Sequence, residues 1–85
     1  MPRLLTFAER TVNAATRAEY MATVAARRDA AASAGANFWV FEHTAEQGRF
    51  VEFTEGGSEQ AVRAVNAEPD HGTASLALWR EVRGE

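Results

Sequence analysis

Phe38-Trp39-Val40-Phe41 sets four large apolar side chains in a row and leaves no polar residue for a wet face. Strand side chains alternate between faces, so such a run needs a cover on both sides. The stretch continues through the turn TAEQG into Arg49-Phe50-Val51-Glu52-Phe53, and these two arms hold five of the eight large aromatics in the chain. A chain of 85 residues and 9.3 kDa buries only about 60–65% of the surface it exposes when unfolded. It is expected to form one domain over residues 1–85 and to be short of material for the second cover.

The rest of the chain supplies the first cover. Residues 3–12, RLLTFAERTV, are β-leaning and bounded by Pro2 and Asn13, which predicts a strand. AATRAEYMATVAARRDAAASAG follows as a helix, with Thr16 and Glu19 at capping-box spacing and Gly35 placed to end it. Tyr20, Met21, Val24, Arg28 and Ala31 fall on one stripe of that helix. Strands are expected over 37–43 and 49–55. Ser58 can cap a second helix, EQAVRAVNAE, that Pro69 stops. Residues 70–73 read as a loop and SLALWREV as a last strand. The order βαββαβ is ferredoxin-like: a four-stranded antiparallel sheet with both helices on one face.

Alternation then divides the sheet. One register gathers Leu5, Phe7, Phe38, Val40, Val51, Phe53, Leu76 and Leu78 beneath the helices. The open face receives Thr6, Ala8, Arg10, Trp39, Phe41, His43, Phe50, Glu52, Thr54, Ala77, Trp79 and Glu81. This partition pairs Phe41 with Phe50 and Trp39 with Glu52 through a loop of even length, and it spares Glu52 a burial that would be costly without a partner. An open face with Trp39, Phe41, Phe50 and Trp79 is more apolar than a monomer usually leaves bare, so a second copy of the sheet is the expected cover.

FWVFE…GRFVEF after an alanine-rich helix, in a chain of this length and order, resembles the dimeric α+β barrel superfamily, its NIPSNAP-like and antibiotic-biosynthesis-monooxygenase-like branches above all. The resemblance implies a homodimer joined sheet to sheet, with a cavity in each half. The expected function is binding of a small apolar or aromatic molecule in a cavity on the sheet face, bordered by Trp39, Phe41, His43, Glu52 and Trp79. Some relatives in that superfamily are cofactor-independent monooxygenases or haem-degrading enzymes, so a monooxygenase with His43 as base and Glu52 orienting it is the alternative. A purely structural interaction module is the third. Thr6 stands where an active-site Asn would favour the enzyme, and Asn13, Asn37 and Asn66 sit at element ends.

Composition excludes more than it proposes. The net charge of −3 and the carboxylate of Glu52 argue against nucleic acid, although Phe50-Val51-Glu52-Phe53 matches the end of an RNA-recognition strand. With no cysteine and two scattered histidines, no metal or cofactor is expected. No apolar run approaches the ~20 residues of a membrane span. MPRLLTFAER does not read as a signal peptide, so a cytoplasmic protein with no membrane partner is expected. Trp39 and Trp79 have packing as their plain role, His43 a half-exposed turn, and His71 a solvated loop. Arg27-Arg28 reads as a solvated helix face. Glu52 calls for an arginine partner, with Arg10 and Arg80 as candidates, or for a wet cavity.

Overall fold

Asn13 ends the first strand and starts the first helix. The structure is a computed structural model and describes residues 3–66, 77–82 and 84. Strand β1 spans Leu4–Thr11, after which Asn13 Oδ1 accepts from the Thr16 N–H at 3.0 Å and caps a 3₁₀ turn, Ala14–Thr16. That turn runs into α1, Arg17–Ala34. The expected capping box is therefore not made: the Thr16 hydroxyl lies 3.1 Å from Asn13 Oδ1 and makes no cap bond of its own. Gly35 ends α1 as expected, at φ 71°, with its N–H directed to the carbonyls of Ala31 and Ala32.

Strands β2, Asn37–Glu42, and β3, Arg49–Gly56, form the hairpin. Helix α2, Glu59–Val65, is capped by Ser58, whose Oγ accepts from the Ala61 N–H at 3.1 Å. Strand β4, Trp79–Arg80, completes an antiparallel sheet of order β2-β3-β1-β4. This is the expected ferredoxin-like α+β arrangement. Pro69, the 70–73 loop with His71, and the start of the last strand with Leu76 lie outside the described residues.

The hairpin register differs from expectation by one residue. Glu42 pairs with Phe50, Val40 with Glu52 and Trp39 with Phe53. Four hydrogen bonds set the loop length. His43 Nδ1 accepts from the N–H groups of Ala45 and Glu46, both at 3.0 Å. Gly48, at φ 87°, donates to Glu42 Oε2 at 2.8 Å, and its carbonyl accepts from Val12 N–H at 2.7 Å. A slip of one residue turns a whole strand over. β3 is turned over, and β1, which pairs Phe7 with Phe53 and Ala8 with Glu52, turns with it.

The two faces are thus redistributed. Leu5, Phe7, Val51 and Phe53, expected beneath the helices, belong to the open face with Trp39, Phe41 and Trp79. The Phe7 ring lies 6.2 Å from Phe53 and 6.1 Å from Trp79, and Phe41 meets Phe53 edge-on at 5.9 Å. Thr6, Phe50, Glu52 and Thr54, expected on the open face, are buried on the helix side instead. Leu78 is 39% exposed. The apolar core under the helices is small: Ala31, Ala36, Phe38 and Val65, flanked by Val24, Val40 and Ala61. Along α1 the buried residues are Tyr20, Arg27 and Ala31, whereas Met21 and Arg28, both expected on the inner stripe, face outward.

Candidate functional site

A charged core lies between the sheet and the helices. Glu52, on the middle of β3, is 2% exposed and sits opposite Ala8, a side chain too short to fill the space above it. Two hydrogen-bond donors and a further guanidinium converge there. Tyr20 of α1 donates its O–H to Glu52 Oε2 at 2.6 Å, and Arg27, two turns further along α1, donates Nη1–H to Oε1 at 3.0 Å. Arg10 of β1 brings Nε to 2.9 Å from Oε2. Arg27 is itself 3% exposed; its Nη2 donates to Asn66 Oδ1, and its guanidinium stacks 4.3 Å over the Phe38 ring. Asn66, the C-cap of α2, donates Nδ2 to Thr6 Oγ1 and Thr54 Oγ1 at 3.3 Å and to the Val62 carbonyl at 3.1 Å. One network therefore ties α1, α2, β1 and β3 together.

Electrostatics follow from that geometry. Burial pushes the Glu52 carboxyl up, but the bonds from Tyr20, Arg27 and Arg10, with the charge of Arg27, outweigh it and hold the group below its ordinary value. Burial and the bond to Glu52 raise the Tyr20 phenol well above its ordinary range, so it remains a neutral donor. Glu52 is accordingly an ionised acceptor with its lone pairs engaged, unsuited to accept a substrate proton. Closer to the turn, Glu42 takes a two-pronged bond from Arg17 at 2.7 and 2.9 Å and one from the Gly48 N–H, which hold its pKa down to about 2.

Beside the charged core lies a cleft of about 290 Å³ between the end of β1 and the first half of α1. Arg10, Val12, Thr16, Glu19, Tyr20 and Thr23 are among its walls. A smaller hollow of about 150 Å³ lies at the turn end of the sheet, against Phe41, His43 and Arg49.

The residues expected to border one pocket are distributed over two sides of the sheet. Trp39, Phe41 and Trp79 stand on the open face, 42%, 57% and 52% exposed. Glu52 faces the helices, and His43 sits in the turn with its Nδ1 accepting two backbone bonds. His43 and Glu52 do not form the expected acid–base pair. Of the two arginines expected to reach Glu52, Arg10 does so. Arg27, expected in solvent, is the second, and Asn66, expected only as an element end, closes the network. The usable signal was the spacing Tyr20, Val24, Arg27, Ala31, which places Arg27 rather than Arg28 on the inner stripe. Among the described residues no group of three His, Asp or Glu side chains could hold a metal ion.

No family model and no curated protein matches the sequence. The fold, by contrast, matches solved structures over nearly the full length of each chain. A Nitrosomonas europaea protein assigned as an antibiotic biosynthesis monooxygenase superposes with a TM-score of 0.70 at 8% identity, covering 96% of this chain and 92% of the other. SnoaB, a cofactor-independent oxygenase from Streptomyces nogalater, superposes at 0.65 and 17% identity, covering 98% and 94%. A Deinococcus radiodurans protein, again assigned as an antibiotic biosynthesis monooxygenase, gives 0.66 and 16%, covering 96% and 93%. Identities this low establish the shared ferredoxin-like fold alone.

Proposed function

We propose that this chain works as a homodimer joined through the aromatic face of its sheet, each subunit binding a small molecule in the cleft between β1 and α1. The observation that carries the dimer is the bare face. Phe7, Trp39, Phe41 and Trp79 are each 42–57% exposed on one side of the sheet, while both helices lie on the other. Soluble monomers rarely expose an apolar patch of more than a few hundred Å², and a stable interface buries about 800 Å² per partner. A two-fold interface needs only self-complementarity, which a flat run of rings provides. The sheet face that sequence reading chose for the ligand becomes the subunit interface in this reading. Support for the cleft comes from its size, near the lower end of the ~300–1,000 Å³ range of small-molecule sites, and from its wall, where Arg10 and Tyr20 are set by the buried network.

Sedimentation velocity across a concentration series tests the assembly: a dimer in the micromolar range is expected, and Trp39→Glu should give a monomer or aggregate. A well-folded wild-type monomer at those concentrations overturns it.

A second reading, cofactor-independent oxygenation, is favoured by the likeness to SnoaB and to the two proteins assigned as monooxygenases. In that reading Tyr20 and Arg10 are the polar groups of the cleft that meet a substrate, and Glu52 holds them in place. Oxygen uptake with an electron-rich quinol, compared in wild type and Tyr20→Phe, separates oxygenase from binder. Uptake lost in the variant with folding intact supports the enzyme.

A further inference from the structure

The hydroxyls in the cleft wall have lone pairs to offer and no hydrogens. A hydroxyl carries one hydrogen and two lone pairs, so one that donates within the protein can only accept from a ligand. Thr16 Oγ1 lies 3.1 Å from Asn13 Oδ1 and donates to it, because that oxygen also accepts from the Thr16 N–H and has no hydrogen to give. Thr23 Oγ1 donates to the Tyr20 carbonyl at 2.7 Å. The Tyr20 O–H goes to the ionised Glu52 carboxylate at 2.6 Å. All three hydroxyl hydrogens are therefore committed.

The rest of the wall sharpens that bias. Glu19 is exposed on the first turn of α1, and among the described residues it has no hydrogen-bond or ion-pair partner. Its carboxylate oxygens are acceptors only. The Val12 N–H is taken by the Gly48 carbonyl at 2.7 Å. Arg10 is engaged with Glu52 and has further interactions of its own, so neither its charge nor its N–H groups count toward a ligand. Thr11 belongs by alternation, with Phe7 and Glu9, to the other side of the sheet. Asn13 Nδ2 is left as a donor.

Spacing draws these acceptors into a row. Thr16, Glu19, Tyr20 and Thr23 stand three and four residues apart, along one side of α1 over two turns. From Thr16 to Thr23 the row runs about 10 Å, at about 1.5 Å per residue. An ammonium group or a single hydroxyl reaches one point of such a row. A ring with hydroxyls around its edge reaches several, whereas an anion meets the Glu19 carboxylate as a like charge.

We infer that the cleft takes a small neutral polyol of the size of one sugar ring, its hydroxyls donating to Glu19, Thr16 and Thr23 and its carbon skeleton against Val12. The inference rests on the preceding reading of the cleft as the ligand site, and it names the ligand's chemical class. A volume of about 290 Å³ has room for one such ring.

The experiment is an NMR titration of the ¹⁵N-labelled full chain with three six-membered carbon rings at fixed ionic strength: myo-inositol, cyclohexanol and cyclohexylammonium chloride. Inositol should give saturable shifts at the amides of Val12, Glu19, Tyr20 and Thr23. Cyclohexanol, the same ring with one hydroxyl, should bind at least about tenfold more weakly, because several hydrogen bonds are lost together. Glu19→Gln replaces a charged acceptor by a neutral one and should weaken inositol about fivefold. Thr23→Val keeps the shape, removes a lone-pair oxygen and should weaken it about two- to fivefold. Neither side chain is buried, so both variants should fold.

Cyclohexanol binding as tightly as inositol overturns the polyol class and leaves the cleft as a ligand site. Cyclohexylammonium binding more tightly than inositol overturns it in favour of a cation. Inositol binding unchanged in both variants overturns the row of acceptors. Saturable shifts confined to Trp39, Phe41 and Phe7, or none with any of the three rings, overturn both this inference and the cleft reading, whereas the dimer is judged separately by sedimentation.

Discussion

Trp39 pairs with Phe53 across the β2–β3 ladder, and that pairing decides which side of the sheet carries charge. With Phe53 beside Phe7 and Phe41, the open face is a continuous aromatic surface. With Glu52 one residue away on the opposite side, the space under the helices must be furnished with donors. The same register thus creates a surface suited to association and a core suited to holding an anion.

The first prediction follows from the rings. Phe53→Ala removes a half-buried side chain from the open face, so its main effect should be on association. The dimer constant should weaken at least about tenfold, as truncation of an interface aromatic typically does. Melting temperature should then depend on concentration less steeply in the variant than in wild type, because a weaker dimer adds less stabilisation at each concentration. Equal sedimentation profiles for the two proteins would place Phe53 outside the interface.

The order of elements, the Gly35 and Ser58 caps and the Trp39–Phe41–Trp79 face were legible because each rests on local pattern. The β2–β3 register was not. It depends on the bonds that His43 and Gly48 make inside the turn, and alternation fits either register when Phe50 and Phe53 both offer large rings. The wrong choice came from sparing Glu52 an unpaired burial, a sound rule whose condition does not hold here. Its partners come from α1 and β1, which strand alternation cannot count. Arg27 was misplaced for a related reason: arginine is usually a solvent residue, and only its spacing from Tyr20 and Ala31 places it inside.

Two limbs are expected in the dependence of stability on pH. Glu42 and Glu52 have folded pKa values below the ordinary 4.5, so their contribution is complete above that value and is lost as pH falls; for Glu42 the loss runs from 4.5 to about 2. The Tyr20 phenol has a folded pKa above its ordinary 10.0, so its contribution is present below pH 10 and lost as pH rises past it. Urea midpoints measured across this range should form a plateau with two falling sides. Glu42→Gln should flatten part of the acid side, and Tyr20→Phe should remove the alkaline one. High salt should shrink the Glu42 share, since Arg17 and Glu42 are partly exposed. An alkaline fall unchanged in Tyr20→Phe would show that the phenol is not bonded as described.

Gly48 should tolerate no side chain. Its φ of 87° is left-handed, and an added Cβ would run into the Val12 carbonyl oxygen, backbone that cannot swing aside. Gly48→Ala should cost at least about 1–2 kcal/mol, the usual expense of a non-glycine residue at such an angle. The turn it closes also aligns Glu42, so thermal unfolding should show the loss together with a weaker acid limb. A variant as stable as wild type would mean that the turn can re-form with another register.

Finally, the buried pair of Arg27 and Glu52 invites a double-mutant cycle. Glu52→Leu alone strands Arg27 and Arg10 near the core, and Arg27→Met alone strands Glu52 with fewer donors; each should cost about 3–5 kcal/mol. Glu52→Leu/Arg27→Met together removes one charge of each sign, and apolar replacements of a buried pair often come close to neutral. The double variant should therefore be more stable than the sum of the singles predicts, by about 2 kcal/mol or more in chemical unfolding. Strict additivity in the cycle would show that Arg27 and Glu52 act independently.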